Sequence, residues 1–108
     1  MNVQSETFQN WQVIRVSGQI DSKTVVKLRE FIDSELKPDQ PVALELTDVP
    51  FMSSAGLRTL LTLQRKTKEL NIDLALIGLS EGIADTMKVT GFYQFFTVYA
   101  SLEAISGV

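Results

Sequence analysis

The sequence predicts an α/β fold with a mostly parallel central sheet of about five strands, an antiparallel edge formed by the N-terminal residues, and four helices. Weakly alternating apolar residues open the chain, as in an antiparallel hairpin. Short apolar segments then alternate with amphipathic ones, as parallel strands and their crossover helices require. The predicted order is β-β-α-β-α-β-α-β-α, with right-handed connections.

The first element is a predicted β-hairpin. Val3 to Phe8 and Trp11 to Val16 alternate weakly between apolar and polar residues, and the polar pair Gln9-Asn10 separates them. We interpret Trp11 as a strand aromatic that shields a face or an edge of the sheet, and the alternative is a platform for a ligand.

A helix and a buried strand follow the hairpin. Apolar residues three and four positions apart predict a helix from about Ser22 to Leu36, with Asp21 or Ser22 as its N-cap. Two prolines in the segment Lys37 to Pro41 end this helix. The short apolar run Val42 to Leu46 predicts a strand in the middle of the sheet, because such a strand is covered on both faces.

The second half continues the alternation of helices and strands. The longest amphipathic helix is predicted from about Ser54 to Leu70, and its apolar side consists of Leu57, Leu60, Leu61, Leu63 and Leu70. The remaining predicted elements are a strand over Ile72 to Ile77, a short helix capped by Ser80 and stopped by Gly91, a strand over Phe95 to Tyr99, and a helical turn or two over Ser101 to Ile105.

The composition indicates one domain and excludes much catalytic chemistry. A chain of 108 residues has the size of one domain, so we expect a single domain over residues 1–108. The absence of cysteine and histidine excludes thiol, imidazole and Cys/His zinc chemistry. A net charge of −3 gives no basic footprint for nucleic acid. Without an apolar leader or a membrane-length apolar run, we expect a cytoplasmic protein that does not insert into the membrane.

The loops after the central strands carry the candidate functional residues. The carboxyl ends of parallel strands lie at one end of a sheet, so Gly18 to Ser22, Asp48 to Gly56 and Gly78 to Gly82 are expected to emerge together. Ser53 and Ser54 lie at the predicted start of the longest helix, and we expect Ser53 to cap it. Because a helix start presents unpaired N–H groups and a partial positive charge, these hydroxyls can serve as caps, anion ligands or phosphate acceptors.

Enzymatic and metal-binding alternatives find less support in these residues. The glycine patterns that bind nucleotide phosphates are absent, and neither serine lies in a G-x-S-x-G elbow or has a histidine base. Asp21 and Asp48 are able to bind a divalent ion or act as an acid/base pair, but aspartates beside helix starts are more often caps. We therefore predict no catalytic residue, no metal and no cofactor.

Several separated motifs occur in the order found in one protein family. They are Phe51 to Leu57, the earlier segments Gly18 to Asp21 and Leu44 to Asp48, and the closing segments Thr90 to Phe92 and Phe96 to Ala104. On these residues the chain resembles the STAS domain family, which is named for sulfate transporters and anti-sigma factor antagonists. The resemblance implies a STAS-like fold over nearly the whole chain.

For stand-alone bacterial members, the resemblance implies a non-enzymatic partner switch. The unphosphorylated domain binds an anti-sigma factor serine kinase, phosphorylation of the serine two residues before the glycine ends the interaction, and a serine phosphatase restores it. In this sequence that serine is Ser54. The family's usual aspartate just before it is Ser53 here, which makes Ser53 a second, less favoured acceptor, and the family's second hydroxyl residue is Ala55.

These expectations define a contact surface. We expect partner binding by Asp21, Asp48, Ser53, Ser54, Gly56 and Arg58. The favoured interpretation of Arg58 is an ordinary solvated charge, and the alternative is a partner for a phosphate on Ser54. The favoured interpretation is a monomeric anti-sigma factor antagonist. The alternatives are a STAS subunit that regulates the ATPase of a membrane lipid ABC transporter, and an enzyme of unknown type that depends on Asp21 or Asp48.

Overall fold

The computed structural model describes residues 1–106 and contains one five-stranded sheet. The strands are β1 (Asn2–Phe8), β2 (Trp11–Ser17), β3 (Val42–Asp48), β4 (Leu74–Ile77) and β5 (Thr97–Tyr99), and the helices are α1 (Val25–Glu35), α2 (Ser54–Glu69), α3 (Glu81–Thr90) and α4 (Glu103–Ser106). The strand order is β1-β2-β3-β4-β5, with β1 antiparallel to β2 and the other neighbours parallel. The predicted class, antiparallel edge and element order are confirmed.

The start of α1 differs from the prediction because Asp21 caps a turn that precedes the helix. Its Oδ1 accepts hydrogen bonds from the N–H groups of Lys23 at 2.9 Å and Thr24 at 3.0 Å. In return, the N–H of Asp21 donates to Oγ1 of Thr24 at 2.9 Å, as in a capping box. The α-helix begins only at Val25, so the predicted start at Ser22 is wrong.

The connection after α2 also departs from the prediction. Asn71 has a left-handed φ of +59°, and the N–H of Ile72 donates to the carbonyl oxygen of Thr67 at 3.0 Å, so the chain at Ile72 is still turning away from the helix. β4 therefore starts at Leu74, and the predicted start at Ile72 is wrong. Leu70, predicted on the apolar side of α2, lies at the C-cap and is 37% exposed.

The end of β3 and the start of β5 also differ from the prediction. β3 continues to Asp48 instead of ending at Leu46, because Ser17 of β2 pairs with Asp48. β5 begins at Thr97 instead of Phe95, because Tyr93–Phe95 form a 3₁₀ turn. The longer β3 places the last strand residue next to the loop that contains the two serines.

Three helices cover one face of the sheet. Side chains of α1, α2 and α3, including Leu28, Leu60 and Met87, pack against fully buried strand residues such as Ile14 and Leu44. Burial of one such side chain is worth about 1.5–3 kcal/mol relative to exposure. This large cluster fixes α2, and therefore the start of α2, against β3.

The opposite face holds a smaller apolar cluster. Its buried members are Val13, Ala43, Ala75 and Ile77 of the sheet, together with Ile105 of α4. Trp11 packs against this cluster and is partly buried, which confirms its interpretation as an aromatic that shields a sheet face.

Candidate functional site

The loops that follow β2 and β3 are joined by backbone hydrogen bonds. The N–H of Ile20 donates to the carbonyl oxygen of Phe51 at 2.9 Å, and the carbonyl oxygen of Ile20 accepts from the N–H of Ser53 at 2.8 Å. Closer to the sheet, the N–H of Gly18 donates to the carbonyl oxygen of Asp48 at 3.0 Å. The expectation that these two loops emerge together is confirmed.

The third loop, after β4, lies beside the end of β3 and then starts α3. Gly78 has a φ of +71°, and a Cβ atom there would collide with the side chain of Thr47. Oγ of Ser80 accepts the N–H of Ile83 at 3.2 Å, which confirms the predicted cap of α3, and Gly91 ends the helix with a φ of 81°. The Ser80 hydroxyl is therefore used for capping.

Ser53 occupies the N-cap position of α2, but the prediction that it caps the helix through its hydroxyl is wrong. Its carbonyl oxygen accepts the N–H of Leu57 at 3.1 Å, whereas its side chain makes no cap hydrogen bond. Oγ of Ser53 is buried and has no hydrogen-bond partner among the residues that the structure describes. The backbone, through Ile20, holds Ser53 in place, and the first turn of α2 has no side-chain cap from this residue.

Ser54 is the first residue of α2, and its side chain is exposed to solvent. The two neighbouring serines therefore differ in access, because Oγ of Ser53 is buried. In the folded protein, the Ser54 side chain is therefore accessible to other molecules, whereas Oγ of Ser53 is not.

Gly56 allows the start of α2 to approach the two joined loops. It is buried, and a Cβ atom there would lie 2.5 Å from Cγ of Met52 and 2.9 Å from Cγ2 of Ile20. Gly56 therefore has a structural role, because only a residue without a side chain permits this close packing.

Charged side chains surround the helix start. The Asp21 carboxylate accepts the N–H of Thr24, the Nε2 of Gln19 and the N–H of Lys23, and these hydrogen bonds lower its pKa to about 2. Asp48, at the end of β3, and Arg58, four residues after Ser54 on α2, are both exposed. Within residues 1–106, no group of three or more candidate ligands could hold a metal ion.

Sequence reasoning missed one residue of this site, Phe51. Its side chain is 53% exposed although it is large and apolar, and it lies in the loop between Asp48 and Ser53. The available signal in the sequence was an aromatic residue in a loop that has no apolar periodicity, which is consistent with an exposed contact residue. Periodicity alone does not reveal whether such a side chain turns inward or outward.

The comparisons with known proteins agree with this architecture. The model of the STAS domain matches residues 2–105. The chain belongs to the STAS domain family. Among the helices that the structure describes, none has both the length and the apolar character needed to cross a bilayer.

The relatives of this STAS domain include named regulatory proteins. The anti-sigma-B factor antagonist of Listeria monocytogenes is 29% identical over 79% of this chain and 75% of its own length. An anti-sigma factor antagonist from Mycobacterium paratuberculosis has a similar fold, with a TM-score of 0.86, 24% identity, and coverage of 99% of this chain and 92% of that one. The phosphorylated form of SpoIIAA from Bacillus aligns with a TM-score of 0.73 and 20% identity, over 98% of both chains.

Proposed function

We propose that this STAS domain is an anti-sigma factor antagonist that binds an anti-sigma factor serine kinase and is released when Ser54 is phosphorylated. The observation that carries the proposal is the exposed hydroxyl of Ser54 at the start of α2, beside a buried and inaccessible Ser53 Oγ. The names of its relatives support the class of function. A serine phosphatase would return the domain to its binding form.

The fold should tolerate a phosphate on Ser54. A phosphoserine carries about −1.5 to −2 charges at pH 7. A helix N-terminus favours an anion by about 0.3–1 kcal/mol, and by about 2 kcal/mol in favourable geometry. Arg58 is one helical turn away and can pair with the phosphate. The modification is therefore compatible with an intact α2.

Binding to a partner should not tolerate the same phosphate. Burial of a dianion in an interface without a new cation costs several kcal/mol, and about 1.4 kcal/mol corresponds to a tenfold loss of affinity. One phosphate is thus enough to convert a tight complex into a weak one. The switch acts on the interface, because Ser54 supports none of the core.

The proposed interface is the surface formed by the joined loops and the first turn of α2. Asp21 and Asp48 present carboxylates, and Phe51 offers an exposed aromatic side chain of the kind that anchors protein interfaces. Gly56 keeps the helix start close to Ile20, so that Ser54 and Asp21 stay at the same end of the molecule. We propose Ser54 instead of Ser53 as the acceptor because only its side chain is exposed.

The proposal is tested by capture and titration. The tagged full chain is expressed in its native cell, the retained proteins are identified, and the purified partner is titrated with the wild type, Ser54→Ala and Ser54→Asp. We expect a serine kinase that binds Ser54→Ala like the wild type and binds Ser54→Asp at least about tenfold more weakly. Ser34→Asp, on exposed Ser34 of α1, is the control for added charge and should bind normally.

Two outcomes would contradict this function. Equal binding of the kinase by Ser54→Ala and Ser54→Asp would reject the switch. Specific capture of an ABC-type ATPase without a kinase would favour the alternative, a STAS subunit of a membrane lipid transporter. The intact mass of the protein from its native cell, before and after phosphatase treatment, checks the modification itself and its location on Ser54.

A further inference from the structure

A groove runs between α1 and α2 from the candidate site along the helix pair. Its upper part has a volume of about 290 Å³ and is lined by Ser22, Arg29, Ala55, Arg58, Thr59 and Thr62, among others. A smaller hollow further along shares Arg29, Thr59 and Thr62 with it. Because Ala55 directly follows Ser54, the groove starts at the proposed interface.

The groove carries an excess of positive charge. Arg29 and Arg58 both line its upper part, and neither guanidinium forms an ion pair with any residue in the described part of the chain. The carboxylate that lines the lower hollow, Asp33, pairs with Nζ of Lys66 at 3.0 Å. This local excess contrasts with the net charge of −3 for the whole chain.

The two threonine hydroxyls of the groove are already hydrogen-bonded, which leaves the arginines and the Ser22 hydroxyl as donors. Oγ1 of Thr59 donates to the carbonyl oxygen of Ala55 at 3.1 Å, and Oγ1 of Thr62 donates to the carbonyl oxygen of Arg58 at 3.0 Å. A guanidinium presents its N–H groups in a planar fork that matches the two oxygens of a carboxylate. The available chemistry of the groove is thus recognition of anionic oxygens, such as those of carboxylate side chains.

We propose that this groove is a docking site for an acidic segment of the protein partner, with carboxylate side chains on Arg29 and Arg58. Charge complementarity and continuity with the start of α2 support this occupant. The proposal goes beyond the switch at Ser54, because it requires no phosphorylation and adds a second contact region on α1. A phosphate on Ser54 would compete with the acidic segment for Arg58, which lies one turn away.

The proposal is tested by NMR titration of the full ¹⁵N-labelled chain with blocked hexaglutamate, with blocked hexaglutamine as the uncharged control peptide. We expect shifts of the amide signals of Arg29, Arg58, Thr59 and Thr62 with hexaglutamate only. The double variant Arg29→Gln, Arg58→Gln should weaken binding by about twofold to thirtyfold, as expected for the loss of two exposed ion pairs.

The double variant Arg65→Gln, Lys68→Gln is the matched control, because it removes the same charge from exposed positions of α2 outside the groove. It should bind like the wild type. Equal weakening by both double variants, shifts centred on another surface, or no shift at millimolar hexaglutamate would overturn the proposal. None of these results depends on whether a kinase modifies Ser54, so the two proposals can fail separately.

Discussion

At the scale of single residues, Gly56 is the position within the candidate site where an added methyl group should be costly. A Cβ atom would lie 2.5 Å from Cγ of Met52 and 2.9 Å from Cγ2 of Ile20. We expect Gly56→Ala to lower the free energy of unfolding by about 1–3 kcal/mol, because the start of α2 must move away from Ile20. Urea denaturation of both forms measures this loss.

Gly82 of α3 offers a matched control for this substitution. Nothing lies within 4 Å of a Cβ atom built at Gly82. Gly82→Ala should therefore raise the free energy of unfolding, by up to about 1 kcal/mol, through helix propensity. The same loss of stability in both variants would show that the packing at Gly56 is not the cause.

Asp21 should make the stability depend on acid pH. Its pKa in the folded chain is about 2, whereas an unfolded aspartate titrates near about 3.9. The depressed pKa means that its contribution is present above the unfolded pKa and is lost as the pH falls toward about 2. Asp21→Asn should flatten the fall in stability below about pH 4.

Denaturation measured at several pH values between neutral and acid conditions checks the Asp21 prediction. Asp39→Asn, in the exposed turn between α1 and β3, serves as the control for loss of a surface carboxylate. An unchanged acid slope in Asp21→Asn would contradict the hydrogen bonds described for the Asp21 carboxylate.

The sequence predicted the position of the two serines but not the exposure of their side chains. The sequence placed Ser53 and Ser54 together at a helix start, but it did not separate a buried hydroxyl from an exposed one. The difference arises because the N–H of Ser53 is bound by Ile20, a contact between two loops that are far apart in sequence. Arg29 escaped notice for the same reason, since its neighbours in the groove lie on another helix.

At the scale of the elements, two helices begin at a serine but use it differently. Oγ of Ser80 accepts the N–H of Ile83 at the start of α3, whereas Oγ of Ser53 makes no such bond at the start of α2. Ser80→Ala should cost about 0.5–2 kcal/mol of stability, and Ser53→Ala should cost less than about 0.5 kcal/mol, because no hydrogen bond is lost.

Urea denaturation of the two alanine variants, measured side by side, tests the different roles of these caps. Each variant is the control for the other, because the substitution and the position in the helix are the same. A loss at Ser53 as large as the loss at Ser80 would mean that the Ser53 hydroxyl does cap α2.

Element type was predictable, whereas several boundaries were not. Periodicity identified α2 from Ser54 onward and the buried run of β3, because each has a long or continuous apolar pattern. The start of α1 was misplaced because a side-chain cap at Asp21 supports a turn before the helix. The start of β4 was misplaced because Asn71 prolongs the end of α2, and an apolar Ile72 can belong to either element.

At the scale of the whole molecule, the parallel sheet itself brings the site together. β2 and β3 are neighbours that run in the same direction, so the loops after them meet at one end. This part of the site followed from the predicted order of elements. The groove did not follow from the predicted order of elements. The way in which α1 lies beside α2 depends on side chains of both helices and of the sheet.

If a phosphate at position 54 changes only the contact surface, the stability of the intact molecule should not fall. Phosphoserine introduced at position 54 places an anion at the N-terminus of α2, where the helix dipole favours it. We expect the melting temperature to stay the same or to rise slightly. Amide chemical-shift changes should remain near the joined loops and the first turn of α2.

Phosphoserine introduced at position 34 places the same charge at the C-terminal end of a helix instead of its N-terminus. Ser34 is exposed in the last turn of α1, and its Oγ donates to the carbonyl oxygen of Phe31 at 2.9 Å. An anion there faces the negative end of the helix dipole and should destabilise the protein by about 0.3–1 kcal/mol. High salt should reduce both the favourable interaction of the phosphate at position 54 and the destabilisation by the phosphate at position 34, because the two sites are exposed. If the phosphate at position 54 lowered the melting temperature as much as the phosphate at position 34, the switch would act by loosening α2, and the proposal that it acts on the interface alone would be wrong.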